Sequence, residues 1–283
     1  MSIRISFSTG TFYHRSAAYS LALARDAGFD GVELVLGHEY LLFGTDLARA
    51  ASEKLGVPIL SVHQPFFPFP GWPRSARRAV PRLAHAAREL GAELCVVHTV
   101  NVTTPQSLSG QRFATAISRG QQAALGKLRI TLENSQYTRR PARYLLDDLH
   151  ALAAFAREHD CGITFDTCHA GANGENLLDS AAILRDGLIN IHLSDAIMGQ
   201  KKPITHLMPG EGNLPLRDFL ATLARDGYDG LVTMELHPSQ TGLIGRKHAL
   251  ERLAQARDFV AAAIRAGEAA GVRSEPECDA SPA

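Results

Sequence analysis

Ile163-Thr164-Phe165-Asp166-Thr167-Cys168-His169 is a short β-branched run that stops on a carboxylate and an imidazole. The pattern repeats outward in both directions. SVHQ (61–64) closes on His63, CVVH (95–98) on His98 and ITLEN (130–134) on Glu133. Further on, INIHLSD (189–195) closes on His192 and VTMELH (232–237) on Glu235. One such ending is noise. Six in succession, with helical stretches between them, predict an α/β fold of the (β/α)8 type with its strand tips converging on one site. In such barrels the active site lies at the C-terminal ends of the strands.

The joins between these runs keep one rhythm. A helix ends near a glycine and an apolar strand follows, as in LARDAGFDGVELV (23–35), ALGKLRITLEN (124–134) and AREHDCGITFD (156–166). Glycine just past a helix, then a continuous apolar run, is the expected α-to-β junction. With ISFST (5–9) and GVELV (31–35) the chain offers eight strands at the spacing of a β-α unit. A doubly wound open sheet is the rival, but it calls for a Gly-rich phosphate loop after an early strand, and none is present. The barrel is expected as a single domain over residues 1–270, with a polar, disordered tail over 271–283.

Period two along the strands gives a second test. Ser61, Thr131, Thr164, Asn190 and Thr233 precede the terminal residues by two positions, and their neighbours Val62, Leu132, Phe165, Ile191 and Met234 are apolar. One face of each strand is therefore small and polar and the other greasy. The polar face lines a barrel interior and the greasy face meets helices. His63, Glu133, Asp166, His192 and Glu235 are expected to point inward.

Composition narrows the function classes. The 283 residues are 45% hydrophobic and 20% charged, with Lys+Arg 29 against Asp+Glu 29. That balance supplies no global basic field for nucleic acid. No apolar stretch approaches the ~20 residues that span a membrane. MSIRISFSTG lacks the apolar core of a signal peptide. Cys95, Cys161, Cys168 and Cys278 contain no CxxC, and three lie in or beside core strands as buried reduced thiols. A cytoplasmic setting is expected.

Three carboxylates and one imidazole from separate strands can enclose a divalent cation. Mixed sets of this kind suit zinc, manganese, iron or cobalt better than calcium or magnesium. Glu133, Asp166, His192 and Glu235 form the expected core ligand set. Burying this many ionisable groups together without a cation is costly. His63 and His98 end neighbouring strands and mark a candidate second metal site. His169 and His206 lie in loops over the mouth, as further ligands or as substrate binders. A lone strand histidine is otherwise more often structural. Glu33 is left as a structural residue or one that supports a ligand from behind, and Asp195 as the group that orients His192 or caps a turn. The loop QPFFPFPGWPR (64–74) is a stacking surface or an apolar lid. His14, His38, His85, His150, His159 and His248 are expected on surfaces and helices.

FDTCHAG, IHLSD, THLMPGEGNLPL and GYDGLVTMEL together resemble the xylose-isomerase-like TIM-barrel superfamily. The likeness runs from ISFSTG to about residue 265. The group includes sugar isomerases, ketose 3-epimerases, related dehydratases and endonuclease IV-type repair enzymes. The resemblance to the sugar branch implies one metal at Glu133, Asp166, His192 and Glu235, with Glu133 and Glu235 moving the proton through an enediolate. The resemblance to endonuclease IV implies further histidines at His63, His98, His169 and His206 and a multi-zinc centre that cleaves phosphodiesters. The chain carries all four histidines but reads Ile204-Thr205-His206 where that branch has Asp-x-His. The neutral charge and the missing aspartate tip the expectation toward a metal-dependent isomerase or epimerase of a sugar or sugar phosphate. Nucleic acid enters only under the endonuclease alternative, and the oligomeric state stays open.

Overall fold

A computed structural model describes residues 2–67, 70–98, 102–136, 144–200, 203–242 and 245–272. The chain runs β1 (Arg4–Ser8), a 3-10 turn (Thr9–Phe12), α1 (Ala17–Ala27), β2 (Gly31–Val35), α2 (His38–Phe43), α3 (Asp46–Leu55) and β3 (Ile59–His63). It continues through α4 (Ala76–Glu89), β4 (Leu94–Val97), α5 (Leu108–Ala124), β5 (Arg129–Glu133), α6 (Leu149–Glu158), β6 (Gly162–Asp166), α7 (Thr167–Asn173) and α8 (Leu177–Leu184). Then come β7 (Leu188–Leu193), β8 (Asp195–Ile197), β9 (Ile204–Leu207), α9 (Leu216–Arg225), β10 (Leu231–Met234) and α10 (Arg246–Val272). Eight parallel strands close in the order β1-β10-β7-β6-β5-β4-β3-β2. This is the expected (β/α)8 barrel, and the open-sheet rival is excluded. The expected tail boundary falls inside α10, and residues 273–283 lie outside the described residues.

The two faces separate as period two requires. Val62, Leu132, Phe165, Ile191 and Met234 have no exposure and join the core between strands and helices. Inside the barrel, Leu60, Leu94, Val96 and Leu231 form a separate apolar plug. Next to it the interior is polar. Ser6 Oγ lies 2.9 Å from Thr233 Oγ1, which donates to Asn190 Oδ1 at 3.0 Å. Asn190 Nδ2 donates to Thr164 Oγ1 at 3.2 Å, and Thr164 meets Thr131 at 2.8 Å. This belt satisfies small buried hydroxyls with one another and forms the floor of the mouth.

Two local features depart from the sequence reading. The turn before β6 is made by Asp160, at φ 48°, and not by Gly162, which begins the strand. Gly162 is there for space: a Cβ would fall 2.4 Å from Ile189 Cδ1. The chain after β7 also does not run straight into a loop. It forms an antiparallel hairpin, β8 against β9, which carries His206 back over the mouth.

Candidate metal centre

His192 sits at the centre of the mouth, on the inward face of β7 and with no exposure. Its Nε2 donates to Glu33 Oε2 at 3.1 Å, and Ser61 Oγ donates to the same oxygen at 3.0 Å. Glu33 reaches this position through a register shift between Val32 and Glu33 that brings it opposite Ser61. Irregularities of this kind re-aim side chains beside sites. With Nε2 occupied, Nδ1 faces Glu133 Oε1 at 3.3 Å and Glu235 Oε2 at 2.8 Å. Burial pulls the imidazole down, but Glu33, Glu133 and Glu235 outweigh it and hold it well above its usual range. Glu33 is thus the carboxylate behind the histidine. The role offered to Asp195 as a possible orienter of His192 is corrected: Asp195 accepts from Ala196, Gly210 and Leu214 N–H groups at 2.8, 2.8 and 3.1 Å and fastens the loop after β9.

Asp166 divides its two oxygens. Oδ1 caps α7 by accepting from His169 N at 2.7 Å, while buried Oδ2 has no hydrogen-bond partner. Burial pushes this carboxyl up against the pull of His169 and His206. Asn134, which the sequence reading passed over, ties β5 to β6. Its Oδ1 accepts from Asp166 N at 2.6 Å and its Nδ2 donates to Asp166 O at 3.1 Å. The signal available was its place directly after Glu133.

Glu133 is the shared member of the cluster. Its Oε2 lies 3.2 Å from His63 Nε2, while Oε1 faces His192 and lies 3.6 Å from His169 Nδ1. Burial pushes its carboxyl up, yet His192 and His63 hold it well below the usual range. Glu235, just past β10, is likewise raised by burial but held at about 2 by His192. His63 is fixed by its other nitrogen, which donates to Gln64 O.

These side chains fall into two overlapping groups. One ligand atom each from Glu133, Asp166, His192 and Glu235 lie within 4.8 Å of one another, and so do those of His63, Glu133 and His192. Asp166 Oδ2, Glu235 Oε2 and His192 Nδ1 are all buried without a hydrogen bond. The last two approach to 2.8 Å without the angles of a hydrogen bond. Metal-ligating atoms that converge while leaving one another unsatisfied, with an excess of carboxylate, fit a divalent cation. His98 stands apart, its ring 5.3 Å from that of His63, and burial lowers its pKa to about 4. His169 donates from Nδ1 to Asn134 O at 2.9 Å and meets His206 edge to face at 5.9 Å. His206 takes a left-handed φ of 56°, with Nδ1 placed 3.3 Å from Ser194 Oγ and 3.2 Å from Glu235 O. His98, His169 and His206 therefore ring the mouth outside both groups.

The family model described as xylose isomerase-like TIM barrel matches residues 21–270. An uncharacterized protein of Mycobacterium tuberculosis is 30% identical over 84% of this chain and 90% of its own length. A probable endonuclease 4 of Methanoculleus marisnigri is 28% identical over 68% of this chain and 71% of its own. Fructoselysine 3-epimerase of Escherichia coli O157:H7 is 24% identical over 75% and 82%. Among solved structures, an L-ribulose 3-epimerase superposes with a TM-score of 0.74 at 16% identity, covering 99% of this chain and all of its own.

Proposed function

The chain belongs to the xylose isomerase-like TIM-barrel family, and from that membership we propose that it is a divalent-metal-dependent isomerase or epimerase of a sugar or sugar phosphate. The observation that carries this is the convergence of Glu133, Asp166, His192 and Glu235 within 4.8 Å at the barrel mouth. A cation held by these four supplies Lewis acidity toward a carbonyl and its neighbouring hydroxyl. Glu133 and Glu235 come from strands separated by β6 and β7. Both carboxyls are held below the usual range, so each is a base at neutral pH. One removes the proton beside the carbonyl, leaving an enediolate, and becomes the acid that returns it. Return to the neighbouring carbon isomerises the sugar. Delivery from the opposite face, by the second glutamate once it has drawn a proton from solvent while the first gives its own up, epimerises it. His98 and His169 offer ring nitrogens to the remaining hydroxyls. The names of the E. coli relative and of the superposed structure point the same way.

The test is solvent exchange. Zinc- or manganese-loaded protein, incubated in D2O with a panel of ketoses and ketose phosphates, is expected to place deuterium on the carbon beside the carbonyl. Glu133→Gln and Glu235→Gln are each expected to slow that exchange by at least ~100-fold. A panel without exchange overturns the proposal.

A second reading has one specific observation behind it. His63, Glu133 and His192 form a second ligand group sharing two members with the first. Two cations so placed suit phosphodiester hydrolysis, and one relative bears the name probable endonuclease 4. About two zinc per chain, loss of one in His63→Ala, and cleavage of an abasic-site duplex without sugar turnover is the outcome that replaces the isomerase reading.

A further inference from the structure

A cavity of about 660 Å³ lies beside the barrel mouth, lined by residues that follow β1, β2 and β3. Its described lining includes none of the four residues of the larger ligand group. It reaches the mouth at Val35, the next inward-facing position after Glu33, and at Phe66. The Phe66 ring lies 4.9 Å from that of His63. It is seated on Gly10, where a Cβ would fall 2.0 Å from the ring. Phe66 therefore touches the cluster through His63 and also lines the cavity.

The cavity is chemically unlike the cluster. Phe12, Leu36, Tyr40 and Phe66 line it, and Tyr13 and Phe67 stand at its edge. These two are 64% and 68% exposed and face each other edge to face with centroids 6.5 Å apart. His14, Arg15 and His38 in its lining are exposed, and Glu39 accepts from Ala17 N at 3.1 Å. Concave space of this size, apolar within and rimmed by polar groups, is the usual form of a small-molecule site. Large aromatics left in solvent beside it point to an apolar occupant.

We infer that the cavity holds an apolar, ring-sized substituent of a sugar whose carbonyl end occupies the carboxylate–histidine cluster. The substrate is then a substituted sugar. The assignment rests on the sugar reading above for the identity of the other end, and on the cavity alone for the substituent.

The chain's only tryptophan, Trp72, supplies a readout independent of turnover, because its ring lies 6.2 Å from that of Tyr40 in the cavity wall. Zinc-loaded protein is titrated with D-fructose, 1-O-benzyl-D-fructose and 6-O-benzyl-D-fructose, following tryptophan fluorescence, and the same three are assayed for deuterium exchange. At least one benzylated ketose is expected to bind ~10-fold tighter or better, the effect of burying a few methylene-sized groups. Its kcat/KM relative to D-fructose is expected to rise alike. In a Tyr13→Ser/Phe67→Ser variant, both sites being exposed, that ratio is expected to fall toward one with the thermal midpoint retained. Exchange with D-fructose and no gain from either benzyl group overturns the inference and leaves the isomerase reading standing. Benzyl-dependent quenching that the variant weakens, without exchange on any ketose, sustains the cavity assignment and removes the isomerase reading. Neither quenching nor exchange removes both.

Discussion

His192 meets three carboxylates at once, and its two nitrogens divide them: Glu33 at Nε2, Glu133 and Glu235 at Nδ1. A carboxylate behind a ligating imidazole fixes its tautomer and raises its basicity. Glu33→Leu is therefore expected to weaken zinc binding by ~10–100-fold in a chelator competition. Asp195→Asn is expected to leave zinc affinity unchanged and to cost about 1–3 kcal/mol of stability, because its three N–H contacts hold a loop instead. The reverse ranking assigns the orienting role back to Asp195. Asp166 allows a sharper separation of fold from site. Asn caps helices about as well as Asp, so Asp166→Asn keeps the oxygen that accepts from His169 N. Its melting temperature without metal is expected to stay close to that of the native chain while its metal content falls. Full metal content in both Asp166→Asn and Glu133→Gln removes the core ligand assignment.

At the scale of elements, the polar belt joins strands that share no sequence neighbourhood. Thr164 accepts from Asn190 and meets Thr131, so it connects β5, β6 and β7 beneath the site. Thr164→Val keeps the volume but strands the Asn190 amide in a dry interior. The expected cost is about 1–3 kcal/mol in urea unfolding, and a neutral result marks the belt as dispensable. The join between α6 and β6 carries a pH dependence of its own. Burial raises the Cys161 thiol from about 9 to about 12. The folded chain keeps it protonated where the unfolded chain ionises it. Stability tied to this thiol is full below pH 9 and declines as pH rises from 9 toward 12. Cys161→Ala is expected to flatten the alkaline limb of stability against pH, by up to ~1.4 kcal/mol per pH unit in that window. Equal limbs for both proteins refute the assignment.

Over the whole molecule, the proposed cation site would draw ligands from β5, β6, β7 and the residue after β10. A cation that binds the closed barrel and not the unfolded chain stabilises it by mass action, about 2.7 kcal/mol at a hundredfold excess over Kd. For a chain of this size that is ~5–10 °C in Tm. Scanning calorimetry is expected to show that loss on chelation and its recovery on adding zinc or manganese. An unchanged midpoint argues against a resident metal.

Much of this is legible in the amino-acid sequence alone. Strand periodicity is local, so the alternation of Thr164 with Phe165 or Thr233 with Met234 fixes which face turns inward wherever the strand is placed. Runs such as ITFD and VTME, repeated at the spacing of one β-α unit, then leave a closed barrel as the arrangement that buries every greasy face and gathers every polar tip. The helix ends were legible in part. Gly28 and Gly56 close α1 and α3 in the left-handed conformation as expected, but Asp160 makes the turn before β6, because Gly162 is required by the nearness of Ile189. The rest depended on closure. Glu33 and His192 are 159 residues apart, and no local pattern says which of two nearby carboxylates, Glu33 or Asp195, will take the Nε2 proton. A register shift in β2 and the pull of the loop after β9 on Asp195 settled that. The hairpin that lifts His206 over the mouth, the pairing of His63 with Glu133 and the cavity behind Phe66 have the same origin. Side-chain direction follows from sequence period, whereas the distance between side chains on different strands exists only once the barrel has set its stagger.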